Sequence, residues 1–147
     1  MAGLKLAAVT AAIATGTAAK TLAQIIAPAN HRVQLKRLEI SFDGVTNTAT
    51  PIKVDILRQT TAGTMSSLTP VKRGNFTETL QTTAQHTATA EPTAGDVLRS
   101  YYVHPQQGEV WEAPFGDPMD IPGGTRLGVR VTAGVSVNAL VSLDLEE

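Results

Sequence analysis

The chain is 147 residues long, with no cysteine, a formal net charge of -1 and 17% charged residues. That length fits one domain with a core of its own, and the missing cysteine excludes a disulfide scaffold, a thiolate metal site and a cysteine nucleophile. The near-zero charge leaves no basic field for nucleic acid or an anionic membrane, and no apolar run approaches the ~20 residues that span a bilayer. Threonine, serine, glutamine and asparagine supply the polarity, which suits strands and turns.

The first stretch, MAGLKLAAVTAAIATGTAAK, fits a secretory signal only loosely. Thr10 and Thr15 dilute its apolar run, so no cleaved signal peptide is expected. Gly16 and three threonines within eight residues disfavour a helix. As a strand, the segment sets Lys5, Ala7, Val9, Ala11 and Ile13 on one face and Leu4, Leu6, Ala8 and Thr10 on the other. Such a strand either lies inside its own fold or extends over residues 1–8 as an arm that adds to a neighbour's sheet edge. We read it as a first strand, with Met1 to Leu6 reaching toward a partner.

TLAQIIA makes the next strand, stopped by Pro28. In VQLKRLEISFDG the parity slips at Lys36-Arg37, which predicts a bulge that restores the inward face. IKVDILRQT alternates Ile52, Val54 and Ile56 against Lys53, Asp55 and Leu57. Residues 60–95 form a threonine-rich excursion, eleven threonines in 36 positions, in which SSLTPVK and NFTETLQTT each predict a brief edge strand. DVLRSYYVH and EVWEA are strands, and the proline- and glycine-rich APFGDPMDIPGGTR predicts an irregular loop. RLGVRVTAG and VNALVSLDL both alternate, and Ala133-Gly134 between them predicts a hairpin. About eight short strands across residues 1–147 imply one all-β domain, an antiparallel β-sandwich or jelly roll.

The sequence carries little catalytic chemistry. His31, His86 and His104 fall in no HxH or HExxH pattern, so surface or turn roles explain them best. Asp117 and Asp120 in GDPMDIPGG offer two carboxylates to a calcium ion but lack the ligand density of known loops, and turn formation accounts for both. Glu109 and Glu112 flank Trp111, and a glycosidase pair would need a cleft that nothing else suggests. No serine sits in a GxSxG elbow, and no phosphate-binding glycine motif is present. Tyr101, Tyr102, Trp111 and Phe115 cluster in sequence; an aromatic platform for sugars competes with a core or interface role, which we favour. No catalytic residue, metal ligand or cofactor is assigned, and the protein is not expected to be an enzyme.

KTLAQIIAPANHRVQLKRLEISFDG, PIKVDILRQTTAGTMSSLTPVK, AEPTAGDVLRSYYVHPQQG and IPGGTRLGVRVTA together resemble a family of small proteins encoded among the structural genes of tailed bacteriophages. Its members with an assigned role look like capsid decoration, or cement, proteins: jelly-roll domains that trimerise on the outer shell. The resemblance runs from about Lys20 to Ala133 and rests on strand and turn signatures, above all APAN before a strand ending in SFDG, and the LRQTTAG turn.

It implies a structural virion protein, made in the host cytoplasm and carried on the outer capsid surface. Its partners would be the major capsid protein and further copies of itself, with no nucleic acid and no membrane. Leu57, Leu98 and Leu140 break the alternation of their strands and are candidates for such contacts, alongside Leu4, Lys5 and Leu6 of the N-terminal segment. Cover by the chain's own loops is an equal reading of the three outward leucines. The competing function is a carbohydrate- or receptor-binding jelly-roll module using Trp111, Tyr101 or Tyr102.

Overall fold

Alternation in the sequence becomes alternation in burial. In the computed structural model, which describes residues 3–45 and 50–147, the described residues form thirteen strands and no helix. The first six are β1 (Lys5–Val9), β2 (Ile13–Ala14), β3 (Lys20–Ile26), β4 (Val33–Phe42), β5 (Ile52–Gln59) and β6 (Thr64–Leu68). There follow β7 (Val71–Lys72), β8 (Thr83–Ala90), β9 (Ala94–Val103) and β10 (Gly108–Glu112). The last three are β11 (Met119–Ile121), β12 (Arg126–Thr132) and β13 (Asn138–Glu146).

The strands make two antiparallel sheets packed face to face, a β-sandwich as the composition and patterning predict. The first sheet runs β10-β4-β13-β1-β7, with β11 also paired to β4 and β2 to β13. The second runs β6-β8-β3-β12-β5-β9. Between them lie Leu6, Leu22, Ile25, Leu35, Leu38, Ile40, Ile56 and Leu143, all fully buried. Each such side chain contributes about 1.5–3 kcal/mol relative to leaving it in water.

The slip at Lys36-Arg37 is a bulge. Arg37 lies opposite Asp144 and Leu35 opposite Leu145, so Lys36 is the extra residue and both Leu35 and Leu38 face inward.

Several expectations change. RLGVRVTAG and VNALVSLDL do not form a hairpin: β12 pairs with β3 and β5 in the second sheet, β13 with β4, β1 and β2 in the first. Alternation tells which face of a strand is buried but not which sheet it joins, and the turn after Ala133 crosses from one sheet to the other. NFTETLQTT is not a strand until its last residue, Thr83. Glu147 holds this segment instead, its carboxylate accepting from the Gln81 N–H at 2.9 Å, the Thr82 N–H at 2.7 Å and the Thr82 hydroxyl.

The N-terminal segment is an internal strand over its described part. β1 lies between β13 and β7, with Leu4, Leu6 and Ala8 in the core. Leu4 and Glu147 exchange backbone hydrogen bonds of 2.8 and 3.0 Å. An arm over residues 1–8 is therefore corrected from Gly3 onward, because a strand that buries one face in its own sandwich is not free to leave; Met1 and Ala2 lie outside the described residues.

The two sheets differ in what covers their outer faces. From β5 the chain crosses the second sheet to β6 at the opposite edge, and from β8 it crosses back to β9. The two crossings are tied together by the Thr60 N–H to the Thr93 carbonyl at 3.0 Å and the Thr93 N–H to the Thr61 hydroxyl at 2.8 Å. Beneath them Thr21, Gln24, Leu57 and Gln59 are buried on the outward side of their strands, and Leu57 belongs to no part of the central core. The two ends of the excursion, residues 60–63 and 91–93, thus roof one face of the sandwich, while its middle supplies β6, β7 and β8 to the sheets.

Candidate binding surfaces

The outer face of the first sheet has no such roof. Register sets Val9, Ser142, Glu39 and Val110 in one row across four strands, and Leu140, Ser41 and Gly108 in the next. A third row holds Val71, Ala7, Asp144, Arg37 and Glu112. Val9 is 57% exposed, Leu140 48%, Val110 46% and Val71 58%. Between the aliphatics stand the small Ala7, Ser41, Ser142 and Gly108 and the charged Arg37, Glu39 and Asp144. Most of its charges pair: Arg37 reaches Glu39 and, at 3.4 Å, Glu112, while Arg73 meets Asp144 at 3.5 Å; Lys5 makes no ion pair among the described residues. The face thus carries four exposed aliphatic side chains among charges of both signs, a mixture suited to contact with a protein partner.

Of the six residues singled out for partner contacts, the structure brings Lys5 and Leu140 onto this face. Leu98 is also exposed but lies on β9, at the edge of the second sheet. Leu4, Leu6 and Leu57 are corrected: all three are buried, the first two in the core and Leu57 under the roof. Val9, Val71 and Val110 join the face without having been singled out as contact residues. The signal for Val9 was present, since it shares parity with Lys5, whose ammonium must face water.

A second feature is the open side of the sandwich where β9 and β10 end their sheets. A cleft of about 310 Å³ lies there, lined by Arg99, Tyr101, Tyr102, Glu109, Val110 and Trp111. Tyr102 is 71% exposed. Trp111 packs against the core, and its ring carries the Arg99 guanidinium 5.4 Å from its centre, a cation–π contact that occupies one aromatic face. The Tyr101 hydroxyl is buried with no hydrogen-bond partner; burial first, and the nearby Glu109 charge second, push its pKa up to about 12.

The titratable groups otherwise serve the fold. Burial raises the Asp55 carboxyl's pKa, but hydrogen bonds from Ser100 and Arg130 and the Lys53 and Arg130 charges outweigh it and hold it below the ordinary carboxylate value. Glu146 is held low chiefly by the Gly3 N–H at 2.8 Å, with Lys36 helping against burial. Asp120 accepts from Gln34 at 2.9 Å and lies 3.4 Å from Arg32, and Asp117 closes a turn to the Pro114 carbonyl at 2.9 Å. His31 lies 3.8 Å from Glu147, His86 bonds the Thr87 hydroxyl at 2.9 Å, and the His104 ring accepts from the Gln106 N–H at 3.2 Å. Among the described residues no three histidine, aspartate or glutamate side chains gather as metal ligands would.

Fold and surface define the class: an antiparallel β-sandwich with one self-covered and one bare face. No family model, curated protein or solved structure matches the chain.

Proposed function

We propose that this is a structural protein of a tailed-phage virion, decorating and stabilising the capsid by binding the major capsid protein and associating with itself, as a trimer. The observation that carries the reading is the bare outer face of the first sheet, where Val9, Leu140, Val110 and Val71 stand exposed among small residues and mostly paired charges. A decoration protein binds through a preformed surface, and a patch of aliphatic side chains on a rigid sheet needs little ordering on contact. The family resemblance of the strand and turn signatures points the same way.

The test is cosedimentation of the purified protein with expanded, undecorated capsids. Wild type should pellet with the shells, and Val9→Glu with Leu140→Glu should remain in the supernatant while keeping its fold. A wild-type protein that ignores capsids overturns the reading.

The second reading, a carbohydrate- or receptor-binding module, draws on the exposed Tyr102 beside the β9–β10 cleft. Its weakness is Trp111, whose ring is shared between the core and Arg99. Glycan binding lost on Tyr102→Ala would favour it.

A further inference from the structure

Two arginines line one cleft, and no carboxylate lines it with them. The cleft, of about 390 Å³, lies where β5 passes into the outgoing crossing and where the turn 122–125 feeds β12. Arg58 has the parity of Ile52, Val54 and Ile56, so alternation sets a cation on the inward side at the end of β5. Register places Leu127 opposite Arg58 and Arg126 opposite Gln59, which makes the two arginines diagonal neighbours on adjacent strands. The rest of the lining is neutral and comes from Gln59, Thr60 and the turn. That turn is pinned. The Thr125 N–H and hydroxyl both donate to the Pro122 carbonyl, at 3.0 and 2.7 Å, and the Gly124 N–H donates to the Pro28 carbonyl at 3.1 Å.

Neither arginine meets a carboxylate among the described residues. Arg58 is half-buried, makes no ion pair there, and has its Nη1 buried with no hydrogen-bond partner. Arg126 makes no ion pair there either; it donates to the Gln24 amide oxygen at 3.1 Å, a neutral acceptor. Glu91, the acid of the returning crossing, is taken up by the Thr21 N–H at 2.8 Å and the Thr21 hydroxyl at 2.6 Å. Asp96 on β9 makes no ion pair among the described residues and does not line the cleft. A guanidinium drawn from water without an anion costs stability, and a second one nearby adds repulsion. An oxyanion offsets both, because the guanidinium fork presents paired N–H donors that match a carboxylate or a phosphate.

From this we infer that the cleft between β5 and the 122–125 turn is an oxyanion site, taking a carboxylate or phosphate group on Arg58 and Arg126. Its volume is within the ~300–1,000 Å³ of small-ligand clefts, so it admits the anionic group with part of the body that carries it. The group arrives either on a free anion or as an acidic side chain of a protein partner. The inference is independent of the outer face of the first sheet, which lies on the other sheet of the sandwich.

The experiment follows the thermal midpoint of the full chain in phosphate, in acetate and in chloride at matched ionic strength, since a ligand bound by the folded state alone raises the midpoint. Phosphate, acetate or both should raise the wild-type midpoint a few degrees more than chloride does, and the anion that acts names the group. Phosphate also favours any folded protein by exclusion from its surface, so the reading is the difference between wild type and Arg58→Met. That variant keeps the apolar stem and loses the charge. Its midpoint in chloride should equal or exceed that of wild type, and the excess response to the anion should vanish. Arg58→Lys should keep part of the excess, as a point charge without the fork. The inference falls if neither anion raises wild type more than chloride does, or if Arg58→Met keeps the full excess. Capsid cosedimentation then separates the two sources. Phosphate that releases pelleted wild type, where chloride of equal ionic strength does not, marks an acidic side chain of the shell; pelleting indifferent to phosphate marks a free anion. A wild type that never pellets overturns the proposed function alone, and the midpoints still read the cleft.

Discussion

The Gln24 side-chain N–H donates to the Gln59 amide oxygen at 2.7 Å, beneath the crossings that roof the second sheet. The pair sits in a directional chain. Arg126 donates to the Gln24 oxygen at 3.1 Å, Gln59 donates to the Thr21 hydroxyl at 2.9 Å, and that hydroxyl donates to Glu91 at 2.6 Å. A cation at one end and a carboxylate at the other fix the orientation of both amides, and each bond polarises the next. Glu91 belongs to the returning crossing and Gln24 also donates to the Thr61 carbonyl of the outgoing one, at 3.2 Å. The chain therefore holds both crossings on the sheet.

Gly128 makes room for it. A Cβ there would overlap the Gln59 side-chain amide. Gly128→Ala should push Gln59 from its site, break its bonds to Gln24 and Thr21, and cost about 2–3 kcal/mol of stability. Chemical denaturation measures this; a variant as stable as wild type would show that Gln59 has somewhere else to go.

Leu57 tests the roof directly. It is completely buried, yet outside the central core. Leu57→Ala should cost about 2–4 kcal/mol and leave the mass in solution the same as that of wild type. A partner-contact residue would show the reverse, with folding intact and mass reduced.

Tyr101 sets an alkaline limit. Its ring ionises at about 12 in the folded protein, against 10.0 unperturbed, because burial and Glu109 disfavour the phenolate. A raised folded pKa gives stability that is whole below the unfolded value and is lost as pH rises toward the folded one. The thermal midpoint should thus fall between pH 10 and 12, and Tyr101→Phe should flatten that limb. At neutral pH the same variant should lose nothing, since the hydroxyl has no partner to give up. An unchanged alkaline limb would refute the assignment.

Asp55 and Glu146 set an acid limit by the opposite sign. Both are held below their ordinary values, so their contribution is present above about pH 4 and is lost as pH falls through the depressed values. Asp55 is 2% exposed and accepts from Arg130 at 3.1 Å. Asp55→Asn should therefore cost about 2–3 kcal/mol at neutral pH by leaving Arg130 unpaired, and should shallow the acid limb. A parallel acid limb in the variant would place the titration elsewhere.

The sequence made strands legible where alternation was strict, as in β13 and β4, down to the bulge at Lys36. It did not show sheet membership, because β12 and β13 carry the same period-two signal while lying in different sheets. Nor did it reveal the roof. Leu57 has the same outward parity as Leu140 in its own strand; one lies on the roofed face and is buried, the other is on the bare face and 48% exposed, a difference that alternation does not carry. The bare face was half legible, through Lys5 and Leu140, and its valines were hidden because an outward valine reads like an inward one.

The N-terminal segment is a first strand, as its patterning predicts, but one whose leading residues stay in their own sandwich. As an arm, residues 1–8 would be dispensable for folding and needed for assembly. In the fold, Leu4, Leu6 and Ala8 belong to the core, Lys5 to Ala8 supply four of the five residue pairs between β1 and β13, and Leu6 and Ala7 seat β7. Losing Leu4 and Leu6 alone removes two buried aliphatics at about 2–5 kcal/mol each, and the free edge of β13 would then expose its unpaired backbone. That sum rivals the whole stability of an ordinary domain, about 5–15 kcal/mol. Deleting residues 1–8 should accordingly leave protein that is largely unfolded or insoluble at 25 °C, read by circular dichroism and the soluble fraction on expression. A truncated chain that keeps a cooperative thermal transition within a few degrees of wild type would return the segment to the role of an arm.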